Sequence, residues 1–402
     1  MKGRSVLRII PPEQQYLIHL LASVLHDARP QNPPEYLAWE KLYRLSVRHG
    51  EANMVFYGLK RLNADQKPPQ ELMGKFHTEY RKAIAKEATQ HIAVEQILSA
   101  FEENGIDCMP LKGYLIKYLY PQPDMRLMAD VDILFKNEQT EQVKKLMLEL
   151  GFTLEHQGGN HDVYYKKPFM NIEMHRRLVA ENSPYSAYLS KTWDRATLKS
   201  GCRCIWQLSP EDFYIYLLIH LTKHYTGGGT GIRSFIDIWV YHCHDQDALD
   251  WDYVRTELEA INLREFAENI RAIGEVWFGS GQSNGLYEEM TEYIILSGAY
   301  GTKKHSIISA TSIRADQKRL PSKYAYWLQL FFPPLKTLKI SYPFLTAWPS
   351  LLPACWVLRG IKSLLFKRSH TLHMISAVHS VSGDDVARME SLHKKAGLLK
   401  QY

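Results

Sequence analysis

The residues best suited to chemistry lie in two stretches, Leu111-Lys112-Gly113-Tyr114 and Arg126-Leu127-Met128-Ala129-Asp130-Val131-Asp132-Ile133-Leu134-Phe135. In an extended strand successive side chains leave opposite faces, so Asp130 and Asp132 emerge together while Val131, Ile133 and Phe135 emerge on the other side. Two carboxylates on one spot repel each other and resist desolvation unless a cation or a shared proton offsets them, and hard divalent ions favour such oxygen clusters. A Mg²⁺ or Mn²⁺ site is the expectation. Lys112 adds a positive point charge, and Gly113 lets backbone approach a ligand where a strand over 107–111 gives way to a short helix over 114–120. The amides at that helix start suit an anion. Arg126 supplies a forked donor just before the acidic strand. A third acid, Glu173, shares a face with His175 in the alternating run from Phe169 to His175.

A glycine near the end of the first strand, then hydrophobic-Asp-hydrophobic-Asp-hydrophobic, then a later acid on a third strand, resembles the nucleotidyltransferase superfamily typified by DNA polymerase beta. More closely, Leu111-Lys112-Gly113, Tyr120-Pro121, Arg126, Asp130-x-Asp132-x-Leu134 and Glu173-x-His175 resemble the bacterial uncharacterised nucleotidyltransferase family, whose stretches read LKG, YP, R, DIDLL and DLHW. Three positions depart from these patterns: Tyr114 stands where the superfamily has serine, Glu173 where the third acid is Asp, and Arg176 where the closer family often has Trp. The resemblance implies an α+β fold, a polymerase-beta-like mixed-sheet core flanked by N- and C-terminal helical regions. It implies metal-dependent transfer of a nucleoside monophosphate from an NTP to a hydroxyl, with release of pyrophosphate. Asp130, Asp132 and Glu173 would be the catalytic acids and the ligands of Mg²⁺ or Mn²⁺, with Lys112, Gly113 and Arg126 on the nucleotide. His175, His220, His224 and Arg233 are candidate substrate contacts. The expected acceptor is a small molecule, glycan or peptide rather than nucleic acid. Two alternatives stand beside this one: a catalytically silent nucleotide- or partner-binding module, and a membrane-surface adaptor in a biosynthetic pathway.

Hydrophobic periodicity sets the elements that must position these groups. Residues 13–105 read as helices, with Val94, Ile97, Leu98 and Phe101 forming an apolar stripe that ends at Gly105. A strand over 107–111, a short helix, a strand over 130–135, a helix over 138–150 and a hairpin over 161–166 and 169–175 turning at Lys167-Pro168 complete a compact core. Ser209-Pro210-Glu211-Asp212 combines an N-cap, a first-turn proline and acids near the positive helix end. The helix it starts places His220 and His224 four apart, Gly227-Gly228-Gly229 interrupts it, and a further helix places Arg233 and Asp237 four apart as a staple or as part of the cleft. Leu221 stands where a zinc protease needs Glu, so the histidine pair reads as structural or substrate-contacting. The resulting division is 1–105 helical, 106–205 nucleotidyltransferase core, 206–320 helical and completing the cleft, and 321–402 basic, aromatic and helical.

Charge is segregated. The chain carries +6 overall, yet residues 301–402 hold 16 Lys and Arg against 4 Asp and Glu, leaving 33 against 39 in the rest. Such a basic end suits an anionic partner such as lipid headgroups, nucleic acid or a phosphorylated substrate, or the chain's own acidic part. Within it, Ile340 to Leu358 are uncharged and bracketed by Lys336, Lys339, Arg359 and Lys362, while Pro343, Pro349 and Pro353 oppose a straight spanning helix, so the stretch reads as a helical hairpin packed on the protein or as an interfacial segment. The five cysteines lack zinc spacing and read as reduced thiols. With the early apolar run broken at Pro11-Pro12, no signal peptide is expected, and the expected location is cytoplasmic or peripheral at the inner membrane face.

Overall fold

The computed structural model describes residues 10–245, 248–302, 304–308, 331–335, 338–339, 342–366 and 381–398. The N-terminal periodicity produces α1 (Pro12–Leu25), α2 (Trp39–His49), α3 (Ala52–Lys60) and α4 (Gln70–Glu103). Pro12 occupies the first turn of α1, where its missing N–H leaves no bond unmade. Gly50 closes α2 with φ +72°, a left-handed cap that suits glycine. At 34 residues, α4 is long enough to serve two cores. Its first half sets Phe76 in the helical core, and its second half sets Val94, Ile97, Leu98 and Phe101 against the sheet.

That sheet is built from β1 (Cys108–Pro110), β2 (Val131–Phe135), β3 (Thr153–His156), β4 (His161–Lys166) and β5 (Met170–His175), with α5 (Gly113–Ile116) after β1 and α6 (Thr140–Glu149) after β2. The spatial order is β1-β2-β5-β4-β3; β2 and β5 run parallel and the other neighbours antiparallel. The fold is therefore α+β with a mixed sheet, and the hairpin turns at Lys167-Pro168. Strand β3 was not expected, because it lies at the sheet edge with its side chains exposed or half-buried and shows no buried alternation. The helix expected over 114–120 is split into α5 and a 3₁₀ turn at Lys117–Leu119.

Short helices α7 (Ser186–Leu189) and α8 (Thr192–Arg195) and a two-stranded ribbon, β6 (Thr197–Leu198) with β7 (Trp206–Gln207), lead to α9 (Pro210–Gly227), α10 (Ile232–Asp245), α11 (Trp251–Ala260), α12 (Arg264–Phe278) and α13 (Gly285–Ser297). Ser209 Oγ accepts from the Asp212 amide at 3.1 Å, forming the N-cap of α9. Leu17, Leu21 and Val55 share one core with Ile219, Phe235, Ile270 and Phe278, so the helices before and after the sheet pack as one body. Further along are α14 (Leu352–Phe366) and α15 (Gly383–Lys395). Lys336, Ile340 and Ser341 of the apolar, basic stretch lie outside the described residues. The cysteines are unpaired.

A buried polar network fastens the helices to the loop before β2. Arg126 grips Asp237 of α10 with two prongs, Nε to Oδ1 at 3.1 Å and Nη2 to Oδ2 at 2.7 Å, and Tyr120 Oη donates to Oδ1 at 2.7 Å. The i, i+4 pairing of Arg233 with Asp237 does not form. Asp237 is taken by the incoming loop, and Arg233 instead donates to the Leu127 carbonyl at 2.9 Å. Close by, Glu51 is 1% exposed with neither carboxyl oxygen hydrogen-bonded. Burial pushes its pKa up to about 8, against the pull of Arg233.

An acid whose folded pKa lies above its unfolded value stabilises the fold fully below the unfolded pKa and loses that contribution as pH rises through the folded one. For Glu51 the window runs from 4.5 to about 8. Across it, wild-type unfolding free energy falls relative to Glu51→Gln by a few kcal/mol, on the order set by linkage. Urea titrations at several pH values measure this; parallel curves for the two proteins would mean that Glu51 is ionised in the folded state.

Candidate active site

Parallel pairing of β2 with β5 sets Asp132 beside Glu173 in register, and strand parity puts Asp130, just before β2, on the same face. Antiparallel pairing of β4 with β5 sets His161 beside His175. Asp132 Oδ1 accepts from Lys112 Nζ at 3.0 Å and from His175 Nε2 at 2.7 Å. Glu173 Oε2 lies 3.4 Å from His175 Nε2 and 3.6 Å from His161 Nε2. One donor atom from each of His161, Glu173 and His175 falls within 4.8 Å of the others.

These contacts order the protonation states. Burial favours a neutral Asp132, but Lys112 and then His175 hold its carboxyl well below the usual carboxylate range. Burial, followed by the charges of Asp132 and Glu173, raises the pKa of Asp130. The His175 hydrogen bond lowers that of Glu173 against its burial. Burial opposes charging His175, yet its bonds to Asp132 and Glu173 prevail and its pKa rises.

The turn between β1 and α5 delivers Lys112 at φ +40° and ψ −117°, a conformation that costs a non-glycine residue about 1–3 kcal/mol. The Lys112 ion pair with the buried Asp132 compensates for it. Gly113 is required for a reason the sequence did not show: a Cβ there would stand 2.4 Å from Arg126 Nη1, so the guanidinium lies directly against the turn. Arg126 therefore sits behind the Lys112-Gly113 turn, held on Asp237.

One wall of the cleft comes from α9, where Tyr216, His220, Lys223 and His224 recur at helical spacing. All four feel the charge of Asp132. His220 and His224 lie with Nε2 atoms 3.1 Å apart. Burial, then Lys112 and His224, drives the pKa of His220 well down; desolvation of its flanks, then Lys223, lowers His224 to about 4, although that ring reaches solvent. Both imidazoles are neutral near pH 7. Lys223 is lowered by desolvation and then by Lys112, and Lys86 of α4 by burial and then by Arg233, with Asp130 acting in the opposite sense on both.

Asp130, Asp132, Glu173, Lys112 and His175 thus form one constellation, with His220 and His224 facing it and Arg233 at its edge beside Leu127 and the Tyr300 ring. Sequence reasoning missed His161, Tyr216, Lys86 and Lys223. Hairpin pairing could have found His161, which opposes His175, and helical spacing could have found Lys223, three residues after His220. Nothing local marks Lys86. Among the described residues the donor atoms near enough to share a cation are those of His161, Glu173 and His175, two ring nitrogens and one carboxylate oxygen, with Asp132 hydrogen-bonded to His175, a mixed set that a divalent cation accepts.

A mixed sheet presenting clustered acids beneath a helical wall agrees with what the comparisons find: the protein is a nucleotidyltransferase. Residues 35–279 match the uncharacterised nucleotidyltransferase family, and the chain belongs to it. Among solved structures, the solution structure of the antibiotic-resistance factor ANT(2'')-Ia is similar at 12% identity and a TM-score of 0.33, covering 43% of this chain and 93% of that one. No curated protein matches.

With metal chelated, His175 titrates above the ordinary 6.5, and Asp132→Asn lowers its midpoint, because burial then acts against one fewer anion. The stability linked to its proton is complete below pH 6.5 and is lost as pH rises through the folded pKa. Imidazole NMR titration of both proteins measures the midpoints; equal values would remove the Asp132–His175 bond as the cause.

Proposed function

We propose that the protein transfers a nucleoside monophosphate from an NTP to a hydroxyl of a small-molecule, glycan or peptide acceptor. The observation that carries this reading is the gathering of Asp130, Asp132 and Glu173 on one face, beside Lys112 and His175. Asp130, Asp132 and Glu173 would hold Mg²⁺ or Mn²⁺, which when bound neutralises phosphate charge, including that developing on the leaving group. Lys112 and His175 keep Asp132 ionised and fixed in place. Glu173 Oε1 is left unused by the histidine contacts at Oε2, and it takes the acceptor proton. The acceptor oxygen bonds to the α-phosphorus as the bond to the bridging oxygen breaks, and the electron pair departs with pyrophosphate.

The triphosphate needs cations that are not already committed. Lys112 is occupied by Asp132 and Arg126 by Asp237. Lys86, Lys223 and Arg233 have no carboxylate partner among the described residues and border the acids, so we assign the phosphate tail to them. Arg126 then acts through the loop it anchors.

An NTP panel with Mg²⁺ or Mn²⁺ and cell metabolites, read by mass spectrometry for an added mononucleotide, tests the reaction. Asp130→Asn and Asp132→Asn each lower transfer on the order of a thousandfold or more, with the fold retained. Unchanged turnover in both would sink the reading, and nucleotide binding without product across the panel would favour the silent binding module. Lys223→Ala and Arg233→Ala each raise the KM for NTP roughly tenfold, the loss of one charge-assisted contact. Equal KM values would return the phosphate contacts to Lys112.

A further inference from the structure

We propose that the C-terminal region docks on an anionic membrane surface through an apolar patch centred on α14, independently of the transfer reaction. α14 carries apolar side chains on two opposite sides, along with the cations Arg359 and Lys362. Leu352, Cys355 and Trp356, three and four residues apart, turn inward onto a small cluster with Leu338 and Leu345 that is separate from the main cores. On the opposite side Val357, Leu358 and Ile361 are 62%, 55% and 50% exposed. Trp348 at 64%, with Phe344 and Leu351, extends this exposure through the two 3₁₀ turns before the helix. A helix apolar on both sides is buried in something. Isolated exposed apolar side chains need no explanation, but a contiguous set marks an interaction surface.

Charge selects the occupant. Between Asp316 and Asp384 the chain has no acidic residue and nine Lys or Arg. Lys339, Arg359 and Lys362 border the patch, and none makes an ion pair among the described residues. A second copy would set this basic surface against itself. Nucleic acid would match the charge but offers no apolar phase for Leu358 and Ile361. An anionic bilayer interface meets both demands, taking the aliphatic and aromatic side chains below the headgroups and the cations among them. Trp348, the most exposed ring of the patch, is the side-chain type that favours that depth. Among the described residues no helix is long and apolar enough to cross a membrane.

Co-sedimentation of the full chain with phosphatidylcholine vesicles, with and without phosphatidylserine, tests the proposal. Wild-type protein binds the phosphatidylserine vesicles preferentially and releases as salt is raised. Leu358→Asp combined with Ile361→Asp lowers that affinity at least tenfold with an unchanged melting temperature, since both side chains are exposed. Arg359→Ala with Lys362→Ala supplies a second reading that leaves the apolar set intact, weakening binding roughly fivefold per charge. Absence of any phosphatidylserine preference at low salt overturns the proposal. So does vesicle binding unaffected by both double variants. A wild-type dimer that Leu358→Asp with Ile361→Asp dissolves, without vesicle binding, overturns it in favour of self-association.

Discussion

Like-charge repulsion on a single sheet face governs the architecture around the cleft. Asp132 and Glu173 are register partners on adjacent parallel strands, with Asp130 two residues away on the same side. Carboxylates about 5 Å apart repel by roughly 3 kcal/mol at the effective dielectric of a protein surface, and more when water is excluded. The chain offsets this with cations placed at considerable conformational cost. Lys112 is held in a left-handed turn to reach Asp132, and the pKa of His175 rises against its burial through its bonds to Asp132 and Glu173. Both groups meet the same Asp132 oxygen, which leaves Asp130 as the acid whose charge is least compensated.

A second layer of constraint fixes the loop that feeds Asp130 into the site. The Arg126–Asp237 pair binds it to α10, Arg233 holds the Leu127 carbonyl, and Gln90 of α4 donates to the Met128 carbonyl at 3.4 Å. Three successive residues before the acidic strand are thereby tied to helices from both sides of the sheet in sequence. Removing one partner of a buried ion pair strands the other, at a typical cost of about 3–5 kcal/mol. The same guanidinium explains Gly113, whose missing Cβ is the space that Arg126 fills. The geometry of the acidic cluster and the stability of the fold are therefore coupled at Arg126, whose guanidinium is committed to Asp237.

Local pattern and long-range pairing differ in how far they can be read from residues alone. The period-two alternation around Asp130, Asp132 and Glu173 depends on nearest neighbours, and it placed Asp132 and Glu173 on strands and the hairpin at Lys167-Pro168, with Asp130 one residue ahead of its strand. Edge strand β3 escaped because neither of its faces is buried, so no hydrophobic period marks it. Helical spacing paired Asp237 with Arg233, but a carboxylate chooses by geometry in space. The planar fork of Arg126, more than a hundred residues earlier, approaches it with two parallel bonds that a same-helix neighbour did not form. Lys86 reaches the cleft because α4 spans both cores, a fact of tertiary packing that no window of sequence contains.

The histidines on α9 illustrate how the same charge field divides labour within the cleft. Burial, and then the positive charge of Lys112 for His220 and of Lys223 for His224, lowers the pKa of both imidazoles. As neutral rings they bring no positive charge to a phosphate. A neutral imidazole still offers one donor and one acceptor, and the 3.1 Å contact between the two Nε2 atoms consumes only one such pairing. What remains suits an uncharged hydroxyl. The wall of α9 thus sets an ammonium at Lys223 beside the neutral ring of His224 one residue further on, two unlike polar groups on adjacent residues of one helix.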